Sequence, residues 1–220
     1  MGGSWRRISS RSGWKVERPM LNVQILLFEG VDELDAVAPF EVFQCAAGLG
    51  WQLEVACVTL DLTPEVSTAH GLRLCPQGQL GGDPKPALVL VPGGGWVAQA
   101  PRGTRAEIAR GAIPAALAEL HQNGTILASV CTGALLLAAS GLLTGRPATT
   151  HHSARDVLAA AGASVIDARV VDDGDVITSG GVTSGLDLAL WVVERWFSPR
   201  AAHQVEQLLE VERRGTVWRR

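Results

Sequence analysis

The chain has 220 residues, of which 47% are hydrophobic and 5% aromatic, and its formal net charge is −3. This length suits one large domain around a single core, and the composition is typical of a globular protein. The mildly acidic balance excludes the strongly basic class of nucleic-acid-binding proteins. The longest apolar runs fall short of the roughly 18 residues that a membrane span requires, so we expect neither nucleic acid nor a membrane as a partner.

The four cysteines are widely separated along the chain. Cys45, Cys57, Cys75 and Cys131 include no C-x-x-C pair and no cluster with histidine at metal-ligand spacing. We therefore expect reduced thiols in the cytoplasm, with no disulfide framework, no metal site and no cofactor.

The N-terminal segment is basic and polar. Residues 1–20 contain no apolar core of the signal-peptide type, and we predict a disordered leader, with a basic docking arm as the alternative. Met20 is a candidate start because it immediately precedes the first strand. A single domain is predicted over 21–212, followed by a tail over 213–220.

Short apolar strands alternate with helical segments in the first half of the domain. The strand patterns cover residues 22–28, 51–59 and 87–95. A helix is predicted over 39–48, with Pro39 in its first turn and Gly48 at its C-cap. His70-Gly71 marks a hairpin at a sheet edge, and one amphipathic helical segment is predicted over 105–124.

The second half continues the alternation. An apolar strand over 125–130 leads into a helix over 132–145, and a short strand over 147–151 precedes a helix over 153–162 with Ser153 as its N-cap. A hairpin over 168–181 turns at Asp173-Gly174, and a last apolar helix covers 183–197. Strands that are apolar on both faces predict a parallel sheet covered on both sides. The predicted fold class is therefore α/β, a three-layer α/β/α sandwich with a mostly parallel sheet.

Cys131 lies where the strand over 125–130 gives way to a helix. Open α/β sheets place their sites beyond the carboxyl ends of the strands, and a cysteine at a helix start is expected to have a lowered thiol pKa. Gly133 would allow the sharp turn of a nucleophile elbow. Cys131 is thus predicted to be the activated thiol of the four, whereas an arbitrary cysteine is more often a buried structural residue.

Two further clusters follow predicted strands. The glycine run over 92–95 could direct backbone N–H groups into a shared cleft as an oxyanion hole. Four acidic residues lie in the turn after the first strand, at the start of a helix: Glu29, Asp32, Glu33 and Asp35. One of them facing the cleft would suffice to transfer protons.

Four motifs together resemble the ThiJ/PfpI superfamily of class I glutamine-amidotransferase-like proteins, and within it the isonitrile hydratase branch. They are LLFEGVDELDAVAPFEVF, LVLVPGGG, ASVCTGALLLAASGLLTGRPATTHH and VITSGGVTSGLDLAL, which lie between about residues 22 and 197. The resemblance implies a flavodoxin-like sheet and a homodimer with its site near the subunit contact.

The resemblance also implies the roles of the site residues. Cys131 would be the nucleophile and Asp35 the acid facing it, while the backbone N–H groups of Thr132 and Gly94 would form the oxyanion site. Many superfamily members have Glu at the Asp35 position, but the isonitrile hydratase branch has Asp. Proteolytic members have His directly after the cysteine, where this chain has Thr132, so a Cys-His peptidase mechanism is not expected. His151 and His152 are left outside the catalytic set.

The expected activity is hydration of a small electrophilic substrate, first of all an isonitrile, to an N-substituted formamide. The same residues could serve amide hydrolysis or 2-oxoaldehyde hydration. A different class remains open, because similar domains occur fused to AraC-type DNA-binding regions and would act as ligand sensors.

Overall fold

The computed structural model describes residues 20–220, and the predicted leader lies outside this range except for Met20. The strands are β1 (Leu21–Leu27), β2 (Leu53–Thr59), β3 (Val66–Ser67), β4 (Arg73–Leu74), β5 (Gly78–Gln79), β6 (Leu88–Val91), β7 (Ile126–Ser129), β8 (Pro147–Ala148), β9 (Ser164–Val165), β10 (Val170–Asp172), β11 (Val176–Ser179) and β12 (Trp218–Arg219). The helices are α1 (Glu33–Gly48), α2 (Thr104–Arg110), α3 (Ala112–Gln122), α4 (Gly133–Ala139), α5 (Arg155–Ala160), α6 (Ser184–Trp196) and α7 (Pro199–Leu209).

A central sheet of eight strands has the order β12-β10-β11-β7-β6-β1-β2-β5 within the described residues. The six strands from β11 to β5 are parallel, and β10 runs antiparallel to β11. Every residue of β6 is buried, as expected for a strand that is covered on both faces. The predicted mostly parallel sheet is confirmed.

Helices cover both faces of the sheet. Helices α1, α6 and α7 pack together as one layer, while α2, α3 and α4 pack together as another. Large side chains such as Phe43 of α1 and Leu136 of α4 are fully buried. The predicted α/β/α sandwich is therefore present, and among the described residues no helix is both long and apolar enough to cross a membrane.

Several predicted helices have different boundaries in the structure. Helix α4 ends at Ala139 rather than at residue 145, and α5 covers only Arg155–Ala160. Helix α1 begins at Glu33 rather than at Pro39, because Asp32 caps it by accepting a hydrogen bond from Leu34 N. The predicted helix over 105–124 is two helices, since Gly111 adopts a left-handed φ of 75° between them. Pro114 lies in the first turn of the second helix, where its missing N–H removes no helical hydrogen bond.

Three peripheral elements also differ from the prediction. The hairpin at His70-Gly71 forms, but β3 and β4 are a separate two-stranded sheet and β5 is the edge strand. The strand predicted over 147–151 is only β8, which pairs with β9. Ser153 is not an N-cap; its N–H donates instead to the ring of His151, which caps the 3₁₀ turn before α5.

The last residues of the chain belong to the sheet. Strand β12 pairs in parallel with β10, and Arg220 N donates to Asp172 O. The predicted tail over 213–220 thus supplies an edge strand of the sheet. The predicted division of the chain into a leader, one domain and a tail stays a prediction.

Candidate active site

Cys131 occupies a sharp turn between β7 and α4. Its φ is 55°, in the left-handed region that side-chain-bearing residues rarely adopt. Two hydrogen bonds hold the backbone there: Cys131 N donates to Gly180 O (2.9 Å) and Thr150 Oγ1 donates to Cys131 O (2.8 Å). The residue is 7% exposed. A strained backbone that its surroundings fix in place is typical of a functional site, and the predicted nucleophile elbow has this form.

Two glycines let the backbone segments at the elbow approach each other. A Cβ at Gly133 would lie 2.0 Å from Val91 O, and one at Gly93 would lie 2.3 Å from Thr132 Oγ1. Both distances are far below van der Waals contact. The PGGG run after β6 can therefore lie directly against the start of α4 only because these positions have no side chain.

Asp35 faces this turn from the first turn of α1. It is fully buried, and its Oδ2 accepts a hydrogen bond from Gly93 N at 3.0 Å. The other oxygen, Oδ1, is buried with no partner of regular hydrogen-bond geometry among the described residues. Burial and the charge of Asp32 raise the pKa of Asp35 to about 7, against the lowering effect of hydrogen bonds from Gly93 N–H and the Cys131 thiol.

The Cys131 thiol is shifted in the direction opposite to the sequence expectation. Burial and the nearby Asp35 charge raise its pKa to about 12, although hydrogen bonds from the backbone N–H groups of Val182 and Thr132 lower it. The helix start was expected to lower this pKa, but α4 is short and the loss of hydration dominates. At neutral pH the sulfur is therefore a thiol, and Asp35 is the member of the pair that titrates.

The two predicted oxyanion residues also meet at the elbow. Gly94 N donates to Thr132 Oγ1 at 3.2 Å, so in this state the Gly94 N–H has a partner within the protein. Thr132 Oγ1 also lies 3.1 Å from Thr104 Oγ1. Thr132 N–H is directed to the Cys131 sulfur. The predicted catalytic residues Cys131, Asp35 and Thr132 are thus brought together, while the oxyanion role itself stays a prediction.

The other three acids of the cluster point elsewhere. Asp32 caps α1, Glu29 pairs with Arg102 (2.8 Å), and Glu33 pairs with His70 (3.0 Å) on the β3–β4 hairpin. Asp35 is the member of the cluster that is buried. Of the four acids, Asp35 is the one whose carboxylate accepts a hydrogen bond from the glycine run.

Comparison with known proteins places this geometry in a family. The DJ-1/PfpI family model matches residues 21–195. The chain belongs to the DJ-1/PfpI family. An isonitrile hydratase of Pseudomonas putida is 34% identical over 190 residues, which are 86% of this chain and 78% of that protein.

Two other relatives extend the comparison. A crystal structure of a ThiJ/PfpI family protein from Pseudomonas syringae superimposes with a TM-score of 0.77 at 29% identity, covering 95% of this chain and 84% of that one. The HTH-type transcriptional regulator CdhR of Pseudomonas aeruginosa is 38% identical over 93 residues, which are 41% of this chain and 28% of the regulator. Relatives of this DJ-1/PfpI chain therefore include both an enzyme and a regulator.

A cavity of about 470 Å³ lies beside the elbow of this DJ-1/PfpI domain. Its lining includes Thr150 and Gly180, which bond to the Cys131 backbone, and also His151, His152, Arg155 and Arg169. The volume suits a small molecule. A larger cavity of about 800 Å³ lies at the C-terminal tail, and none of the predicted site residues lines either cavity.

His151 has a defined orientation in this cavity. Ser153 N–H donates to its Nδ1, so Nδ1 is unprotonated and the neutral ring carries its proton on Nε2. Burial and the neighbouring His152 lower the pKa of His151. The ring lies over Gly181, where a Cβ would approach His151 Cδ2 to 2.4 Å. Both histidines line the cavity, whereas Cys131 and Asp35 do not.

Sequence reasoning missed three contributors to the site. Thr104 and Thr150 supply hydroxyl groups, and Val182 supplies a backbone N–H from a strained φ of 35°. Nothing in the polar run around Thr104 distinguishes it. For Val182 the available signal is the SGGVTSG stretch, whose glycines end the strand next to β7. Among the described residues no group of three or more His, Cys, Asp or Glu is arranged to hold a metal.

Proposed function

We propose that this DJ-1/PfpI family member hydrates isonitriles to N-substituted formamides, with Cys131 as the nucleophile and Asp35 as the proton carrier. The observation that carries the proposal is Asp35 Oδ1, a buried carboxylate oxygen without a regular partner beside the thiol. Its pKa of about 7 lets Asp35 both take and give a proton near neutral pH. The similarity to an isonitrile hydratase over most of both chains supports this substrate class.

In the first step Asp35, as carboxylate, takes the proton of the Cys131 thiol, and the sulfur attacks the terminal carbon of R–N≡C. A C–S bond forms and Asp35 returns the proton to the same carbon, giving the thioimidate Cys–S–CH=N–R. The N–H groups of Val182 and Thr132 stabilise the thiolate while it exists. The thiol, which is a poor nucleophile at rest, is thus activated only when a proton acceptor is beside it.

In the second step water adds to the thioimidate carbon, and its proton passes through Asp35 to the nitrogen. The adduct Cys–S–CH(OH)–NH–R then loses the sulfur as the C–S bond breaks. The hydroxyl proton returns to the sulfur and Asp35 pair, and H–C(=O)–NH–R leaves. The sum is one isonitrile and one water converted to one formamide, with the protein unchanged.

Ligand sensing is the second candidate function. The regulator CdhR shares 38% identity over 93 residues with this chain, and a cavity of about 470 Å³ beside a cysteine could hold an effector as well as a substrate. Amide hydrolysis and 2-oxoaldehyde hydration remain alternatives within the enzyme class, because they need the same thiol and proton carrier. A sensor would bind without turnover, which separates the two classes.

We propose further that the chain acts as a homodimer in the cytoplasm. Leu34 and Val37 lie one turn apart on α1 and are 43% and 41% exposed, next to the acids of the site. Pairs of exposed apolar side chains on one helix face suit a symmetric contact. The four cysteines are free, which suits a reducing compartment.

The deciding experiment incubates the purified protein with a panel of alkyl isonitriles, small amides and methylglyoxal. Formamide formation that is abolished in Cys131→Ala is the expected result. Turnover of amides or methylglyoxal alone would reassign the substrate. Saturable binding of a panel member with no product would favour the sensor.

A further inference from the structure

Two buried hydroxyl groups lie next to the nucleophile. Thr132 Oγ1 and Thr104 Oγ1 are 3.1 Å apart, and the two residues are 2% and 0% exposed. Gly94 N donates to Thr132 Oγ1, and Thr104 N donates to Gly94 O at 3.0 Å. The start of α2, the glycine run and the start of α4 are therefore joined through these threonines at one point.

The two hydroxyl groups have more protons than acceptors. Each threonine hydroxyl can donate one hydrogen bond and accept two. Thr132 Oγ1 accepts from Gly94 N–H, and the pair shares one further hydrogen bond between its two oxygens. One of the two hydroxyl protons therefore has no acceptor among the described residues. Leaving a buried donor unpaired is costly, and a bound substrate would remove that cost.

We propose that Thr104 is a positioning residue, whose hydroxyl donates to Thr132 Oγ1 and so leaves the Thr132 hydroxyl proton for the substrate. In this arrangement both lone pairs of Thr132 Oγ1 are occupied, one by Gly94 N–H and one by Thr104 O–H. The Thr132 proton is then the unpaired one, and Thr132 directly follows the nucleophile. It donates to the oxygen of the tetrahedral adduct that forms on Cys131. This inference rests on the proposed function for the identity of that adduct.

The arrangement also fixes the Gly94 N–H. If Thr104 is removed, Thr132 Oγ1 keeps Gly94 N–H as its only partner, and its own hydroxyl can turn away from the substrate. The ground-state fold should change little, because the substitution removes no more than one buried hydroxyl contact. The developing charge on the adduct loses a preorganised donor, so the expected loss appears in kcat rather than in KM.

The first test compares three variants in isonitrile hydration. Thr104→Val keeps the shape and removes the hydroxyl, and we expect kcat to fall by about 10- to 100-fold with KM changed by less than about threefold. Thr104→Ser restores the hydroxyl and should recover most of the lost rate. Thr125→Val is the matched control, since Thr125 is a buried threonine whose hydroxyl bonds to Pro86 O away from the site. Thr104→Ala replaces Thr104→Val if the valine variant does not fold.

A second test does not depend on isonitrile turnover. Acetaldehyde adds reversibly to a thiol: a C–S bond forms, the carbonyl π bond breaks, and the thiol proton ends on the oxygen as a hemithioacetal hydroxyl. Its dissociation constant at Cys131 is measured as protection of that cysteine from iodoacetamide, with the modified site mapped. Thr104→Val should raise this constant by about tenfold, while Thr104→Ser and Thr125→Val should leave it within about twofold.

The outcomes separate the two proposals. A wild-type protein that hydrates no isonitrile overturns the proposed function, and the aldehyde constants then decide the role of Thr104. Equal aldehyde constants in wild type and Thr104→Val would overturn the role of Thr104, as would absence of protection in the wild type. An equal loss in Thr104→Val and Thr104→Ser would also overturn it, because the hydroxyl would then be irrelevant.

Discussion

The buried carboxyl of Asp35 lies beside the buried thiol of Cys131, and burial raises the pKa of both groups. Asp35 is the stronger acid of the two, so the proton rests on sulfur when the pair holds only one. The nucleophile is therefore stored as a thiol and is released by transfer of that proton to Asp35. This relationship determines most of the expected behaviour of the protein.

The resting thiol should react slowly with a general alkylating agent. Cys75 is exposed, whereas Cys131 is buried and protonated at neutral pH. In competitive alkylation with iodoacetamide near pH 7, followed by mapping of the modified sites, Cys75 should be modified before Cys131. Faster labelling of Cys131 would mean that the thiolate is populated at rest, as the elbow position alone had suggested.

The pH dependence of kcat/KM should report Asp35. Below its pKa both Asp35 and the thiol are protonated and no acceptor for the thiol proton remains, so kcat/KM should fall as the pH drops below about 7. The charge of Asp32 raises the pKa of Asp35, so Asp32→Asn should move this acid limb to lower pH. Glu29→Gln is the control, because Glu29 is paired with Arg102. A limb that stays in place in Asp32→Asn, or moves upward, contradicts the assignment.

Asp35 should lower the stability of the fold at alkaline pH. A carboxyl group whose pKa is raised on folding favours the folded state below its unfolded pKa, and this contribution is lost as the pH rises through the folded value of about 7. Asp35→Asn removes the effect. The gain in the free energy of unfolding, measured with urea, should be about 2 kcal/mol larger at pH 8 than at pH 5.

Glu33 supplies a control in which the change in stability should have the opposite dependence on pH. Burial raises its pKa, but hydrogen bonds from its own backbone N–H and from His70 and Thr68 outweigh burial and leave the pKa lowered. Glu33→Gln should therefore lose more stability at about pH 5.5 than at about pH 3.5, a range in which His70 stays protonated. A stability change in Asp35→Asn that is independent of pH would mean that Asp35 is not buried as described.

The elbow was predictable from sequence, whereas the state of its thiol was not. The turn from strand to helix is predicted by adjacent residues alone, since an apolar strand is followed directly by Cys131 and Gly133. The rise of the thiol pKa comes first from burial and then from the charge of Asp35, which is distant in sequence and is brought close by the fold. Asp35 itself was assigned by family resemblance, although it lies on the buried stripe of α1 that continues through Val42 and Ala46.

Other parts of the site could not be read from residue types. Val182 contributes a backbone N–H group, which any residue could supply, and Thr104 lies in a polar segment with no periodic pattern. The helix start at Glu33 was missed because Pro39 is a common first-turn residue, and in this chain it lies inside the helix.

Assembly can be tested on the apolar face of α1. Light scattering at micromolar concentration should give the mass of a dimer, and Val37→Lys should reduce it to the mass of a monomer by placing a charge on that face. Leu62→Lys is the control, because Leu62 is 77% exposed and lies outside α1. A wild-type monomer would remove the dimer proposal and leave the chemistry at Cys131 unchanged.

The most direct measurement is isonitrile hydration by Asp35→Asn, monitored as formamide release together with the mass of the protein. Asn keeps the shape of Asp35 but cannot accept the thiol proton, so formamide release should fall by about 10² to 10⁴-fold in a variant that remains folded. Glu33→Gln should stay within about tenfold of wild type. Near-normal turnover by Asp35→Asn would contradict the assignment of Asp35 as the proton carrier for Cys131.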